Sequence, residues 1–139
     1  MPANQDIRRG RHCVSAVHAH LVFVTKYRRA VLDDRAHRWL VAHFTKICLT
    51  FEAQLLACDG EDDHVHLLVA YPPKVSISAL VNALKGTSSR LLRRVRPDLA
   101  RRYWRGVLWT PSYFAASAGG APLAVLRQYV EQQRASSPA

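Results

Sequence analysis

Acidic residues are scarce in this chain. Ten Asp and Glu stand against 20 Lys and Arg in 139 residues, a formal charge of +10. That imbalance argues for a polyanionic partner, nucleic acid before a membrane surface. Long apolar runs are missing too, and none approaches the roughly 20 residues a membrane span needs. The opening Met1-Pro2-Ala3-Asn4-Gln5-Asp6 lacks the basic-then-apolar pattern of a signal peptide. No membrane association and a cytoplasmic protein are the resulting expectations. Cysteine is sparse and odd in number: Cys13, Cys48 and Cys58, with no C-x-x-C. A zinc site built on thiolates is disfavoured, and the three are expected to serve as small core residues.

What is present is globular: 49% hydrophobic and 22% charged, without repeats or low-complexity tracts. The length suits one domain. We expect a basic arm over 1–11, a single domain over 12–134 and a short tail over 135–139. Cys13 to Lys26 alternates apolar residues on both faces: Cys13, Val17, Leu21 and Phe23 on one, Val14, Ala16, Val22 and Val24 on the other. That pattern predicts a strand buried on both sides. Asp33 or Asp34 caps a helix over about 34–51, with Leu40, His43, Phe44, Ile47 and Phe51 as its inner stripe.

Gln54–Cys58 and His64–Tyr71 predict a hairpin across a longer polar loop, Asp59 to Asp63, stopped by Pro72-Pro73. Ser76 caps a second helix, which Pro97 ends. Val107 to Ala116 predicts a fourth strand with an edge or bulge at Pro111. Leu123, Leu126 and Val130 give a C-terminal helix its core face. The order predicts an α+β fold: a ferredoxin-like, RRM-like antiparallel sheet, β-α-β-β-α-β, with an added helix carrying Tyr129. Many functions share that architecture.

Chemistry has three candidate locations. In His64-Val65-His66 the two imidazoles point the same way, as residues i and i+2 of a strand do. Two neutral imidazoles make partial ligands for a divalent cation. His18-Ala19-His20 has the same spacing, so motif alone does not separate the pairs. Context favours the later one, because Asp59, Glu61, Asp62 and Asp63 precede it. His18 and His20 are expected to pack or hydrogen-bond within their strand. The second location is Tyr129, with Gln133 one helical turn on and on the same face. The pair flanks the apolar stripe, which leaves the phenol at the core margin. A phenol with a free pKa of about 10 is a poor nucleophile at neutral pH, unless a cation polarises the phosphodiester it attacks. The third is the basic run from Lys85 to Arg105. Lys85, Ser89 and Arg93 share one helical face; Arg90 and Arg94 share the next. Tyr103 and Trp104 inside the run offer rings for stacking on bases. Lys26, Arg28 and Arg29 form a second basic group.

Five segments together carry a family resemblance: HLVFVTKYRR (20–29), CDGEDDHVHLLVAYPP (58–73), ALKGTSSRLLRR (83–94), LWTPSYFAASAGGAP (108–122) and VLRQYVEQQ (125–133). In this order and spacing the chain resembles the small single-tyrosine HUH transposases of bacterial insertion sequences, over about residues 12–134. The resemblance implies that His64, His66 and Gln133 bind Mg²⁺ or Mn²⁺ and that Tyr129 attacks a single-stranded DNA phosphodiester. A 5′-phosphotyrosine link and a free 3′-hydroxyl would result. It further implies a homodimer, with the tyrosine helix of one subunit acting in trans at the other's metal site. Subterminal DNA hairpins would be bound, with Lys85, Ser89, Arg90, Arg93, Arg94 and the Lys26, Arg28, Arg29 group as candidate contacts. The rival readings are a domesticated nickase of repeated hairpins, a relaxase or replication initiator, and a non-catalytic nucleic-acid-binding module of the same fold.

Overall fold

The first strand is set by its alternation. β1 spans Val17–Val24; Ala19, Leu21 and Phe23 enter the main core, whereas Val22 and Val24 enter a second cluster on the opposite face. The structure, a computed structural model, describes residues 16–103, 105–117 and 128–132. The expected arm and tail, with Cys13 and Val14, lie outside these. Val17, expected to point inward, is 37% exposed. Lys26 lies beyond the strand, in a short 3-10 turn over Lys26–Arg28. There Tyr27 (φ 65°) and Arg28 (φ 51°) adopt left-handed backbone, which costs each roughly 1–2 kcal/mol. Neighbouring bonds offset that strain: Thr25 Oγ1 donates to the Arg29 carbonyl at 2.9 Å, and the Lys26 amide donates to the Leu108 carbonyl at 2.7 Å.

Local signals place both long helices. α1 spans Asp34–Thr50, and Asp33 accepts from the Ala36 amide at 2.9 Å as its N-cap. α2 spans Ile77–Val95 with Ser76 as N-cap. Pro97 ends α2 as expected but also opens α3, Pro97–Arg102, where its missing N–H costs nothing at the first helical position. That short helix was not expected.

Two strand boundaries differ from the sequence reading. β2 runs Gln54–Glu61 and β3 runs His64–Tyr71, so only Asp62 and Asp63 form the turn. Asp59, Gly60 and Glu61 join the ladder because β2 is an edge strand, where polar side chains reach water. Gly60 is required there: any Cβ would collide with the His64 carbonyl and lie 2.9 Å from Val65 Cα. The fourth strand, β4, is only Phe114–Ser117. Before it, Trp109 forms an isolated bridge to Thr25. The Thr110 amide still donates to the Val24 carbonyl at 2.8 Å, but Pro111 has no amide donor and the carbonyls of 110–112 are taken by the Lys85 ammonium, so 111–113 leave the ladder.

The sheet order is β2-β3-β1-β4, with every neighbouring pair antiparallel. This is the ferredoxin-like arrangement. α1, α2 and α3 cover one face, where Phe23, Phe44, Leu40, Leu80, Leu84 and Trp109 are sealed from solvent. Each large side chain so buried contributes about 1.5–3 kcal/mol before entropy. Cys48 belongs to this core, and burial pushes its thiol up to about 11. Cys58 packs against the same core, its thiol pushed up to about 12 by burial. Both are inert thiols at neutral pH.

Candidate active site

Residues directly opposite in an antiparallel ladder share a face. Val22 pairs with His66 and Val24 with His64, so both histidines stand on the face away from the helices. Val22 also pairs with Phe114 of β4. His66, Val22 and Phe114 therefore form one row across three strands.

The His64 ring is fixed from behind. Its Nδ1 lies 2.9 Å from Asp63 Oδ1, and the other Asp63 oxygen lies 2.8 Å from Arg28 Nε. Asp63 is 7% exposed. A carboxylate receiving Nδ1–H leaves the Nε2 lone pair for a ligand, the usual backing of a metal-binding histidine. Glu61, Asp63 and His64 bring one donor atom each within 4.8 Å of one another. Asp63 already serves His64 and Arg28, which makes it a support for the ring before a ligand.

His66 meets a residue that sequence reasoning set aside. His20 Nδ1 lies 2.8 Å from His66 Nε2, with ring centroids 4.9 Å apart. Burial, first, and then the neighbouring imidazoles His20 and His64 lower the His66 pKa, against an opposing pull from Asp59. The two His-x-His motifs are thus not alternatives. His20 reaches the second motif through strand pairing, while His18 is exposed. The hydrogen-bonding role expected for His20 is what is seen; its partner was not legible without the register of β1 against β3.

Tyr129 lies in the helical residues 128–132. Its ring packs 5.6 Å from Phe114 at 49°, against the cluster of Val22, Val24 and Val130. Its hydroxyl lies 3.0 Å from Ser112 Oγ. Burial raises the phenol pKa, and hydrogen bonds from Ser112 and Thr110 pull it back down. The tyrosine and the histidine pair therefore share one sheet face. Tyr129 packs beside Phe114, the residue two strands from His66 in that row. Gln133 lies outside the described residues.

The basic run is less uniform than its sequence. Lys85, Ser89 and Arg93, expected as one free basic face, turn their polar groups to segment 106–112. Lys85 Nζ contacts three carbonyls there. Ser89 Oγ accepts from the Leu108 amide at 3.0 Å, and Arg93 donates to the Gly106 carbonyl at 2.8 Å. Tyr103 is buried, 3% exposed, and donates to the Lys26 carbonyl, so it cannot stack on bases. Trp104 lies outside the described residues. Arg28 is spent on Asp63. Arg29 lies over the rings of Tyr27 and Tyr103 at 5.0 and 5.1 Å. Arg90 and Arg94 are exposed. Arg90 borders a groove of about 410 Å³ shared with Lys85, Gly86, Arg93, Trp109 and Pro111. Among the described residues, no helix is long and apolar enough to cross a membrane.

Residues 13–133 match the family of IS200-like transposases. The ISDra2 transposase TnpA of Deinococcus radiodurans is 31% identical over 128 residues, covering 92% of this chain and 91% of that one. The transposase for insertion sequence element IS200 of Salmonella typhimurium is 31% identical over 114 residues, covering 82% and 74%. A crystal structure of a candidate transposase from Deinococcus radiodurans superposes with a TM-score of 0.81 at 35% identity, covering 89% of this chain and 95% of the other. A REP-associated tyrosine transposase, solved bound to a REP hairpin, has a TM-score of 0.55 at 13% identity over 87% of this chain and 66% of its own, a likeness of fold.

Proposed function

We propose that this chain, which belongs to the IS200-like transposase family, cuts and rejoins single-stranded DNA through a covalent link to Tyr129. The family implies cleavage and transfer of DNA strands. The finer reading is that the Tyr129 oxygen attacks a phosphodiester at an insertion-sequence end. The Tyr129 O–P bond forms and the P–O3′ bond breaks. The phenol gives up its proton, and the departing 3′-oxygen gains one. Because one phosphodiester replaces another, the step reverses without a nucleotide cofactor. A 3′-hydroxyl attacking the link rejoins a strand.

The observation that carries this reading is that Tyr129 and the His64–His66 pair occupy the same sheet face, apart from the main core. Two imidazoles with carboxylates beside them suit a divalent cation, and the family resemblance makes Mg²⁺ or Mn²⁺ the cation inferred. His64 and His66 would hold it, with Gln133 as a third donor. When bound, such a cation neutralises phosphate charge and eases departure of the leaving oxygen. Burial favours the neutral His66 ring, whose Nε2 is engaged by His20 in this structure, so a cation there would exchange that hydrogen bond for a metal bond; Asp63 holds His64 in the donating tautomer. The assembly we infer from the family resemblance is a homodimer in which the tyrosine helix of one copy serves the imidazoles of the other.

Hairpin recognition is assigned to the exposed Arg90 and Arg94, with Lys26 and Arg29 as the second group. The setting is the cytoplasm, where replicating DNA exposes single strands.

The test is direct. Labelled single-stranded element ends incubated with the protein and Mg²⁺ should yield a denaturant-resistant protein–DNA band. Tyr129→Phe should abolish the band and leave hairpin binding within a few fold. Loss of binding as well would make the tyrosine structural. A band that survives Tyr129→Phe would place the nucleophile elsewhere.

A further inference from the structure

Lys85 sits on α2, in the helical layer, yet its ammonium ends at the segment that meets Tyr129. Nζ lies 2.7 Å from the Thr110 carbonyl, 3.2 Å from that of Pro111 and 3.0 Å from that of Ser112. An ammonium has three donors, and all three find acceptors on consecutive residues. Three carbonyls in a row converge on one point only if the backbone curls around it. Pro111 fixes φ at the middle of that curl. The ammonium also lies 5.9 Å from the Phe23 ring centroid and 5.6 Å from that of Tyr113.

The far side of the same curl holds the phenol. Ser112 gives its carbonyl to Lys85 and presents Oγ 3.0 Å from the Tyr129 hydroxyl. Thr110 steadies Ser112 in turn, its hydroxyl donating to the Ser112 carbonyl at 3.2 Å. Two residues later comes Phe114, whose ring meets that of Tyr129. Both anchors of Tyr129 thus follow directly from the clamp.

We propose that Lys85 is a positioning residue for Tyr129, acting through Ser112, and not a contact to DNA. The inference rests on the reading of Tyr129 as nucleophile. A phenol held by the hydroxyls of Ser112 and Thr110, both on the clamped segment, and by the Phe114 ring has less orientation to find before attack. Removing the ammonium leaves three carbonyls without their shared donor, with the longer Thr110–Ser112 bond still spanning the curl. Burial lowers the Lys85 pKa to about 8, the mark of a lysine drawn out of water and unlike a phosphate-seeking cation on a wet surface.

The experiment places 3-fluorotyrosine at position 129 of the full chain, free of DNA, and records its ¹⁹F resonance. Lys85→Met and Ser112→Ala should each move the signal toward that of exposed fluorotyrosine. The double variant should move it no further than the larger single change. In the unlabelled protein each single variant should slow adduct formation by roughly tenfold or more, with hairpin affinity within twofold. Lys85→Arg, which keeps charge and donors, should restore part of the signal and guards against a folding defect in Lys85→Met. An unmoved resonance in Lys85→Met, or additive shifts in the double variant, would overturn the proposal. So would weaker hairpin binding with a smaller salt slope, which would make Lys85 a phosphate contact. If the parent chain forms no adduct at all, the nucleophile reading falls, while the coupling of Lys85 to Tyr129 is still decided by the fluorine signal.

Discussion

On the helical side of the sheet, Leu21, Phe23, Val65, Leu67 and Val69 are sealed beneath α1, α2 and α3. On the other side, Val22 and Val24 are covered by Val130, Phe114 and Tyr129, and His20, His64 and His66 share that face. The same strands build both faces, one residue out of phase. The difference is in what each face contributes. The helical face supplies apolar burial and hence stability. The other face holds His64, His66 and Tyr129. Its polar side chains need partners, which is why Asp63, Arg28, His20 and Ser112 crowd around the site.

The contrast can be broken from either side. Beyond the loss of adduct in Tyr129→Phe, the largest expected effect is on the helical face. Phe44→Ala empties a fully buried position beside Phe23 and should cost about 3–5 kcal/mol in denaturant unfolding. A cost below 1 kcal/mol would mean that this face is not the seat of stability. Asp63→Asn should weaken Mn²⁺ affinity of the DNA-free protein by about 10–100-fold, because the ring of His64 loses its carboxylate. His18→Ala should leave that affinity unchanged. Equal losses in both variants would move the cation site to β1.

Arg90→Ala combined with Arg94→Ala should weaken hairpin binding and flatten its dependence on log salt by roughly one unit per lost phosphate contact. An unchanged slope would move the DNA surface away from α2. The smallest effect belongs to Asp33, which caps α1 and pairs with Arg96. The Arg96 hydrogen bonds, then the Ala36 amide, lower its pKa to about 2. The group therefore adds stability above its unfolded value of about 4, and that increment fades as pH falls toward 2. Asp33→Ala should cost about 1 kcal/mol at pH 7 from the lost cap. The difference from the parent chain should shrink in acid titrations followed by circular dichroism, and a difference that widened below pH 4 would reverse the assigned sign.

What could be seen in the sequence follows the range of the signal. Asp33, Ser76 and Pro97 mark helix ends with side chains a few residues away, and α1 and α2 begin, and α2 ends, where those residues indicate. The paired imidazoles at 64 and 66 needed only strand alternation. The features the sequence did not show depend on pairing between segments and not on local pattern. β2 continues through Asp59 to Glu61 because β3 lies beside it on one side and solvent on the other. The segment before β4 leaves the ladder because Lys85, 25 residues upstream of Thr110, claims its carbonyls. His20 and His66 are 46 residues apart and meet only through register. A basic helical face looks the same in sequence whether it meets phosphate or the protein's own backbone.

The central claim is that the phenol on the open face becomes linked to DNA. The measurement is mass spectrometry of the nuclease-trimmed, protease-digested adduct formed with single-stranded element ends and Mg²⁺. The account predicts a nucleotide phosphate on Tyr129, joined through the 5′ side of the DNA. A link at another residue, or a 3′-phosphate attachment, would contradict it.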